Sequence, residues 1–201
     1  MKKFVSILAI AIAFFFSATS ANAQTPASQS ITVTPMVGVN ISNIQGDYDQ
    51  TMDNKVGFNI GAEALYMCND NLGISAGAIY SQQGFKVDNT TFGIDYVNVP
   101  VMVNGYVASG LALKAGVQAG FKVSDRASAR GISVDLETAS KLVGGDATVK
   151  SFDLSIPVGI SYEYKNVVLD ARVNCGLVSI FKDKNLSARN TSVQFTLGYR
   201  L

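Results

Sequence analysis

The sequence contains no histidine and no tryptophan, and it has only two cysteines and four prolines in 201 residues. Without histidine, no catalytic triad with an imidazole base can form, and zinc sites with histidine ligands are excluded. Acidic pairs such as Asp47/Asp49 and Asp135/Glu137 have no accompanying catalytic or calcium-binding motif. The sequence therefore predicts that the protein is not an enzyme and holds no cofactor and no metal.

Long apolar runs are absent beyond the first residues of the chain. Hydrophobic residues make up 48% of the sequence and charged residues 15%, yet no later stretch approaches the ~20 apolar residues that a membrane helix requires. The apolar residues must therefore be distributed along the chain. The net charge of +1 gives no reason to expect a nucleic-acid partner.

The amino terminus has the pattern of an export signal. Lys2 and Lys3 precede an apolar stretch rich in phenylalanine, and Ala21-Asn22-Ala23 supplies a cleavage site. A transmembrane helix is the weaker alternative, because the apolar run is short and ends in small polar residues. We expect a cleaved signal peptide over 1–23 and a single domain over 24–201.

The rest of the chain alternates apolar and polar residues. In the last segment Val193, Phe195 and Leu197 fall on one face, and Gln194 and Thr196 fall on the other. This period of two marks a β-strand, and each segment found is long enough to cross a bilayer as a tilted strand of ~9–11 residues. The eight alternating segments are 31–42, 55–68, 72–82, 94–107, 111–123, 151–164, 167–178 and 191–201.

The connections between these segments alternate in length, as they do in outer-membrane barrels with short periplasmic turns and longer outside loops. This sorting predicts an all-β fold, an eight-stranded antiparallel up-and-down transmembrane β-barrel with both termini in the periplasm. The alternative is a soluble, lipocalin-like barrel whose apolar residues would face inward. The short connections are 69–71, 108–110 and 165–166, and the long ones are 43–54, 83–93, 124–150 and 179–190.

Aromatic residues fall near both ends of the predicted strands. Aromatic side chains prefer the two membrane–water interfaces, so we expect these to form interfacial belts. The alternative is that they are scattered through a β-core. Tyr66, Tyr162 and Tyr199 lie near the short turns, and Tyr80, Phe121 and Phe152 lie near the long loops.

Several charged residues fall on the inward face of the predicted barrel. An eight-stranded barrel is only wide enough for its own side chains, and an isolated charge there would cost several kcal/mol. We therefore predict a lumenal ion-pair network, with Asp170, Arg172 and Arg200 on adjacent strands as its central members. A proton or ion path is the alternative. The network residues are Glu63, Lys114, Asp170, Arg172 and Arg200.

Two prolines lie in the middle of predicted strands. Pro100 and Pro157 cannot donate a hydrogen bond to a neighbouring strand. We therefore expect them to mark bulges or bends.

Four strings in the second half of the chain show a family resemblance. They are Tyr96-Val-Asn-Val-Pro-Val-Met-Val103, Leu113-Lys-Ala-Gly-Val-Gln-Ala-Gly120, Leu169-Asp-Ala-Arg-Val-Asn-Cys-Gly-Leu177 and Leu197-Gly-Tyr-Arg-Leu201. As a set they resemble the porin-family (PorT-like) outer-membrane β-barrel proteins of Bacteroidetes. The resemblance implies a small barrel in the outer membrane, in a family that includes an assembly factor for a protein-secretion system.

These observations together lead to an expected function. We expect a structural or surface-interaction role in the cell outer membrane, with the lumen filled by its own side chains. The alternatives are a narrow channel or small-solute conduit, or an accessory component of a protein-secretion system. The expected partners are outer-membrane lipid, the barrel-assembly machinery during insertion, and a surface partner that binds the long outside loops, chiefly 124–150. The protein is expected to be a monomer.

Overall fold

The computed structural model describes residues 25–26, 29–46, 53–87, 90–129, 132–134, 150–179 and 188–201. In this part of the chain, no helix is long and apolar enough to cross a membrane. The strands are β1 (Ile31–Gly46), β2 (Asp53–Asn69), β3 (Leu72–Val87), β4 (Thr90–Ala108), β5 (Leu111–Ala129), β6 (Ile132–Val134), β7 (Phe152–Tyr164), β8 (Val167–Ser179) and β9 (Ala188–Tyr199).

Eight long strands form a closed antiparallel barrel. Each pairs with its neighbour along the chain, and β9 closes the barrel on β1 through pairs such as Val37 with Leu197. The short strand β6 pairs only with the end of β5, where Ala127 faces Val134, and the barrel continues from β5 directly to β7. The predicted eight-stranded antiparallel fold is confirmed.

The two faces of the barrel differ in chemistry as the alternation predicts. Val37, Leu113 and Val158 each expose about half of their surface on the outside, whereas Asn40 and Asn59 inside are completely buried. The soluble alternative required the opposite arrangement. The apolar outer surface therefore matches a barrel surrounded by lipid hydrocarbon.

Several strands are longer than predicted at the long-loop end. β3 and β4 remain paired as far as Val87 and Thr90, so the predicted loop 83–93 is mostly ladder, and β5 runs to Ala129 inside the predicted loop 124–150. The alternation stops with the apolar band, but the backbone groups beyond it still pair with a neighbouring strand. The ribbon formed by β3, β4 and β5 therefore extends past the apolar band.

The prediction that Pro100 and Pro157 mark bulges is wrong. Pro100 pairs with Gln118 of β5 and Pro157 pairs with Asn174 of β8, both without a register shift. On its other side, each proline lacks a backbone pair: Pro100 has none with β3, and Pro157 has none with β5. The register is the same before and after each gap. The backbone N–H of a strand residue points toward one neighbour only, so proline removes a bond on that side and leaves the other ladder intact.

Candidate functional site

Four charged side chains form a closed ring of ion pairs inside the barrel. Lys114 Nζ lies 2.6 Å from Glu63 Oε1 and 2.9 Å from Asp170 Oδ2. Arg172 completes the ring, with Nε 2.7 Å from Asp170 Oδ1 and Nη2 3.2 Å from Glu63 Oε2. All four side chains are buried. Two cations and two carboxylates thus alternate across the lumen with no net charge.

The ring is internally satisfied. Among the described residues, neither the carboxylates of Glu63 and Asp170 nor the cations of Lys114 and Arg172 leave a buried polar atom without a hydrogen-bond partner. Charges in a low-dielectric interior are tolerated when they are paired and hydrogen-bonded in this way. The ring is therefore suited to packing and cross-linking the barrel.

Two glycines opposite the ring lie very close to the strands that carry its charged residues, and the nearest atoms to a Cβ on Gly159 or Gly77 would be the carbonyl oxygens of Ala171 and Ala62, each at 2.6 Å. A Cβ atom on Gly159 would lie 2.8 Å from Arg172 Cβ, and one on Gly77 would lie 3.2 Å from Glu63 Cα. Gly159 pairs directly with Arg172, and Gly77 pairs with Glu63. The glycine on one strand thus allows the backbone that carries the charged residue on the next strand to approach closely.

Arg200 lies outside the ring. Its Nη2 atom is 2.9 Å from Glu163 Oε2, and its Nη1 atom donates to Thr32 Oγ1 at 2.8 Å. Arg200 shares with Glu63 and Lys114 the lining of a cavity of about 20 Å³, which has room for about one water molecule. It therefore forms a second polar layer, nearer to the short turns than the ring.

A third layer of hydrogen bonds crosses the lumen toward the long-loop end. Ser81 Oγ accepts from Asn40 Nδ2 at 2.7 Å and from Gln83 Nε2 at 3.2 Å. Asn190 Nδ2 donates to Gln83 Oε1 and to Asp153 Oδ2. This chain links β1, β3, β9 and β7. Of its amides, only Asn40 falls on the inward face of a predicted strand; Gln83 and Asn190 fall in the predicted loops 83–93 and 179–190. Their pairing has no signal in the sequence.

The predicted interfacial aromatics lie in two groups at opposite ends of the outer face. Tyr66 and Tyr199 are exposed near the short turns, where half-buried Tyr162 pairs with outward-facing Leu169. At the other end, the ring centroids of Phe121 and Phe152 are 5.7 Å apart, and Tyr80 contacts Phe58 at 5.8 Å.

Some predicted features lie outside the described residues. These are the signal peptide over 1–23, the pair Asp47/Asp49, the pair Asp135/Glu137 and most of the loop 124–150. Within the described ranges, no group of three or more acidic or cysteine side chains is placed to hold a metal ion.

The barrel architecture, the apolar outer face and the polar, crowded lumen define a small outer-membrane barrel. Residues 22–182 match the family described as outer membrane protein beta-barrel domain. The chain therefore belongs to this family, and the predicted location in the outer membrane is confirmed. No curated protein matches the chain significantly.

Solved structures of other outer-membrane barrels are similar to this chain. One is Ail, the attachment invasion locus protein of Yersinia pestis, solved in complex with the heparin analogue sucrose octasulfate. It is similar to this chain with a TM-score of 0.55 and 16% sequence identity, and the match covers 86% of this chain and 99% of the Ail chain. Ail in a separate structure has a TM-score of 0.53 and 18% identity over 85% and 98% of the two chains. Neisserial surface protein A has a TM-score of 0.50 and 19% identity over 85% and 96%. At these identities the likeness shows the fold.

Proposed function

We propose that this protein is a structural or surface-interaction barrel of the outer membrane, with a lumen closed by its own side chains. The observation that carries the proposal is the ring of Glu63, Lys114, Asp170 and Arg172, which joins three strands across the interior. A surface role agrees with the ribbon of β3, β4 and β5, which extends past the apolar band and so offers a surface outside the membrane for a partner. The absence of histidine from the whole sequence supports a non-catalytic role.

The closed lumen favours this function over a small-solute conduit. A solute would have to pass the Arg200 layer, the ion-pair ring and the hydrogen-bonded chain at Gln83 in succession. The cavity between the first two of these has room for about one water molecule. Opening a path would separate buried charges from their partners, which costs about 3–5 kcal/mol for each broken pair.

Several finer assignments belong to the same proposal. We infer that residues 1–23 are removed as a signal peptide, that 24–201 folds as a monomer, and that the barrel-assembly machinery inserts it. The four strings quoted above support membership of the PorT-like group. An accessory role in protein secretion follows from that resemblance and is the second candidate.

Planar-bilayer recording of the purified, folded protein tests the closed lumen. We expect no steady conductance under conditions in which a general porin, reconstituted in parallel, gives open channels. Reproducible unitary currents from the wild-type barrel would contradict the proposal and favour the conduit. Cell fractionation of a strain that lacks the gene tests the accessory role. If the protein assists secretion, the deletion should abolish secretion without changing the permeability of the outer membrane.

A further inference from the structure

One buried carboxylate in the lumen has no cation beside it. Among the described residues five carboxylates are buried, and the four that form ion pairs are Glu63, Asp95, Glu163 and Asp170. The fifth is Asp153 at the start of β7, and no lysine or arginine of the described ranges pairs with it. Its Oδ2 atom accepts a hydrogen bond from Asn190 at 3.5 Å, while its Oδ1 atom is buried without a partner. The side chains around Asp153 therefore leave its negative charge uncompensated.

Polar side chains from a second strand meet Asp153 over a glycine. Gly120 of β5 pairs with Asn98 of β4 on one side and with Asp153 of β7 on the other. A Cβ atom on Gly120 would lie 2.9 Å from Asn98 Oδ1, and 3.4 Å from both Asp153 Cβ and Tyr96 Cδ1. Because glycine has no side chain, these three side chains surround one point on the lumenal face of β5.

The neighbours of Asp153 also have buried polar atoms that the described part of the protein leaves unpaired. These atoms are Tyr96 Oη, Asn98 Nδ2 and Gln118 Oε1. Gln118 is the next inward-facing residue of β5, and its Nε2 atom donates to Ser155 Oγ at 3.3 Å, which leaves its carbonyl oxygen free. The exposed fraction of these residues ranges from 1% for Tyr96 to 8% for Asp153. Buried polar atoms are seldom left without a partner, so a group of them on adjacent strands indicates a bound ligand.

The chemistry of this group fits a singly charged metal ion. A buried carboxylate is costly unless its charge is neutralised. A proton on Asp153 would neutralise the charge but would leave the Gln118 oxygen without a partner. Hard metal cations bind carboxylate, carbonyl and hydroxyl oxygens together, and a calcium site takes about 6–8 oxygens, often from several carboxylates. One carboxylate among neutral oxygens therefore matches one positive charge.

We propose that Asp153 and its neighbours form a binding site for a monovalent metal cation, sodium or potassium. The ligand atoms are Asp153 Oδ1, Gln118 Oε1, Asn98 Oδ1 and Tyr96 Oη. The bound ion compensates Asp153 as the lysine and arginine of the ring compensate their carboxylates.

The site is compatible with a closed lumen. Asp153 is the second residue of β7 and lies toward the long-loop end, so an ion from outside reaches it before the ion-pair ring. The expectation from the sequence that the protein holds no metal rested on the absence of histidine and of acidic motifs. A site made of one carboxylate and several neutral oxygens has neither of these signals.

Two variants of the full barrel remove ligands and keep the shape of the site. Asp153→Asn removes the charge, and the new amide oxygen can still accept the hydrogen bond from Asn190. Tyr96→Phe removes only the hydroxyl group. Asp70→Asn is the matched control, because Asp70 is an exposed aspartate in a short turn at the opposite end of the barrel.

Cation binding is measured through the thermal stability of the folded protein in detergent micelles. Sodium chloride or potassium chloride replaces choline chloride at constant total concentration, so that ionic strength and chloride do not change. We expect the midpoint of wild-type unfolding to rise by about 2–4 °C with at least one of the two salts. The rise should be absent in Asp153→Asn, smaller in Tyr96→Phe and unchanged in Asp70→Asn.

The same measurement can overturn the proposal. Equal wild-type midpoints in sodium, potassium and choline would mean that no monovalent metal ion binds and that a proton neutralises Asp153. A full rise in Asp153→Asn, or loss of the rise in Asp70→Asn, would also overturn it. If Asp153→Asn does not fold, Tyr96→Phe decides: a smaller rise than in wild type supports the site, and an equal rise overturns it.

Discussion

Lys114 Nζ lies 2.6 Å from Glu63 Oε1, although 51 residues separate the two in sequence and their strands, β5 and β2, are not neighbours in the barrel. The ion pair therefore ties together two parts of the wall that share no backbone hydrogen bonds. Arg172 and Asp170 of β8 extend the same connection to a third part of the wall. The stability of the barrel should depend on this ring being complete.

Replacing Glu63 with leucine should destabilise the barrel, because two buried cations would then share one carboxylate. We expect the free energy of unfolding to fall by about 3–5 kcal/mol. Urea unfolding in lipid vesicles, followed by tyrosine fluorescence or by gel mobility, measures the change.

The double variant Glu63→Leu/Lys114→Met is the matched control. It leaves Asp170 and Arg172 as a neutral pair with Nε–Oδ1 of 2.7 Å. We expect the double variant to be more stable than Glu63→Leu alone. If the destabilisation of the double variant equals the sum of the destabilisations caused by Glu63→Leu and by Lys114→Met alone, the ring is not an energetic unit.

The loss of stability caused by a lysine on the outer face should depend on its depth in the membrane. Val101 lies midway along β4 and Val107 lies near its short-turn end, and both are exposed. Val101→Lys should cost about 2–4 kcal/mol and Val107→Lys about 0–1 kcal/mol. Denaturant unfolding in vesicles compares the two variants. Equal, small effects would mean that the outer face contacts water rather than lipid.

Two glycine-to-alanine substitutions should differ sharply in their effect. A Cβ atom on Gly116 would lie 2.7 Å from Met102 Cα and closer still to the Val101 carbonyl oxygen, whereas one on Gly105 would meet its nearest atom at 4.0 Å. Gly116→Ala should therefore destabilise the barrel by about 1–3 kcal/mol through crowding. Gly105→Ala should remain close to wild type in thermal or denaturant unfolding. Equal stability of the two variants would contradict the close strand contact at Gly116.

The orientation of the barrel can be tested by thiol labelling of intact cells. In a background with Cys68 and Cys175 replaced by serine, a single cysteine is placed at Asp70, in a short turn, or at Ser151, at the long-loop end; both positions are exposed. A membrane-impermeant maleimide should label Ser151→Cys in intact cells and Asp70→Cys only after permeabilisation. The reverse pattern would place the termini outside.

Much of the fold could be predicted because strand alternation is a local property. From Phe195 to Tyr199 the residues alternate in sequence and in exposure alike, although Val193 on the same face is buried. The short turns fall where predicted. Strand ends were predicted less well at the long-loop end. The sequence around residues such as Gln83 and Gly93 does not alternate between apolar and polar residues, although the backbone there remains paired.

The candidate sites depended more strongly on tertiary structure. Arg200 was expected beside Asp170 and Arg172, yet its carboxylate partner is Glu163. Nor did the sequence point to the meeting of Asn98 and Asp153 over Gly120, because the two residues are far apart in the chain and their strands lie on opposite sides of β5.

Strand alternation predicts which side chains face lipid and which face the lumen, because successive side chains of a strand point to opposite faces. Which of these side chains meet depends on the folded barrel. Contacts across the barrel depend on the register of each strand pair and on the stagger that closes β9 onto β1. For this reason Glu63, Lys114, Asp170 and Arg172 could be identified as inward charges from sequence, while their arrangement as a closed ring could not.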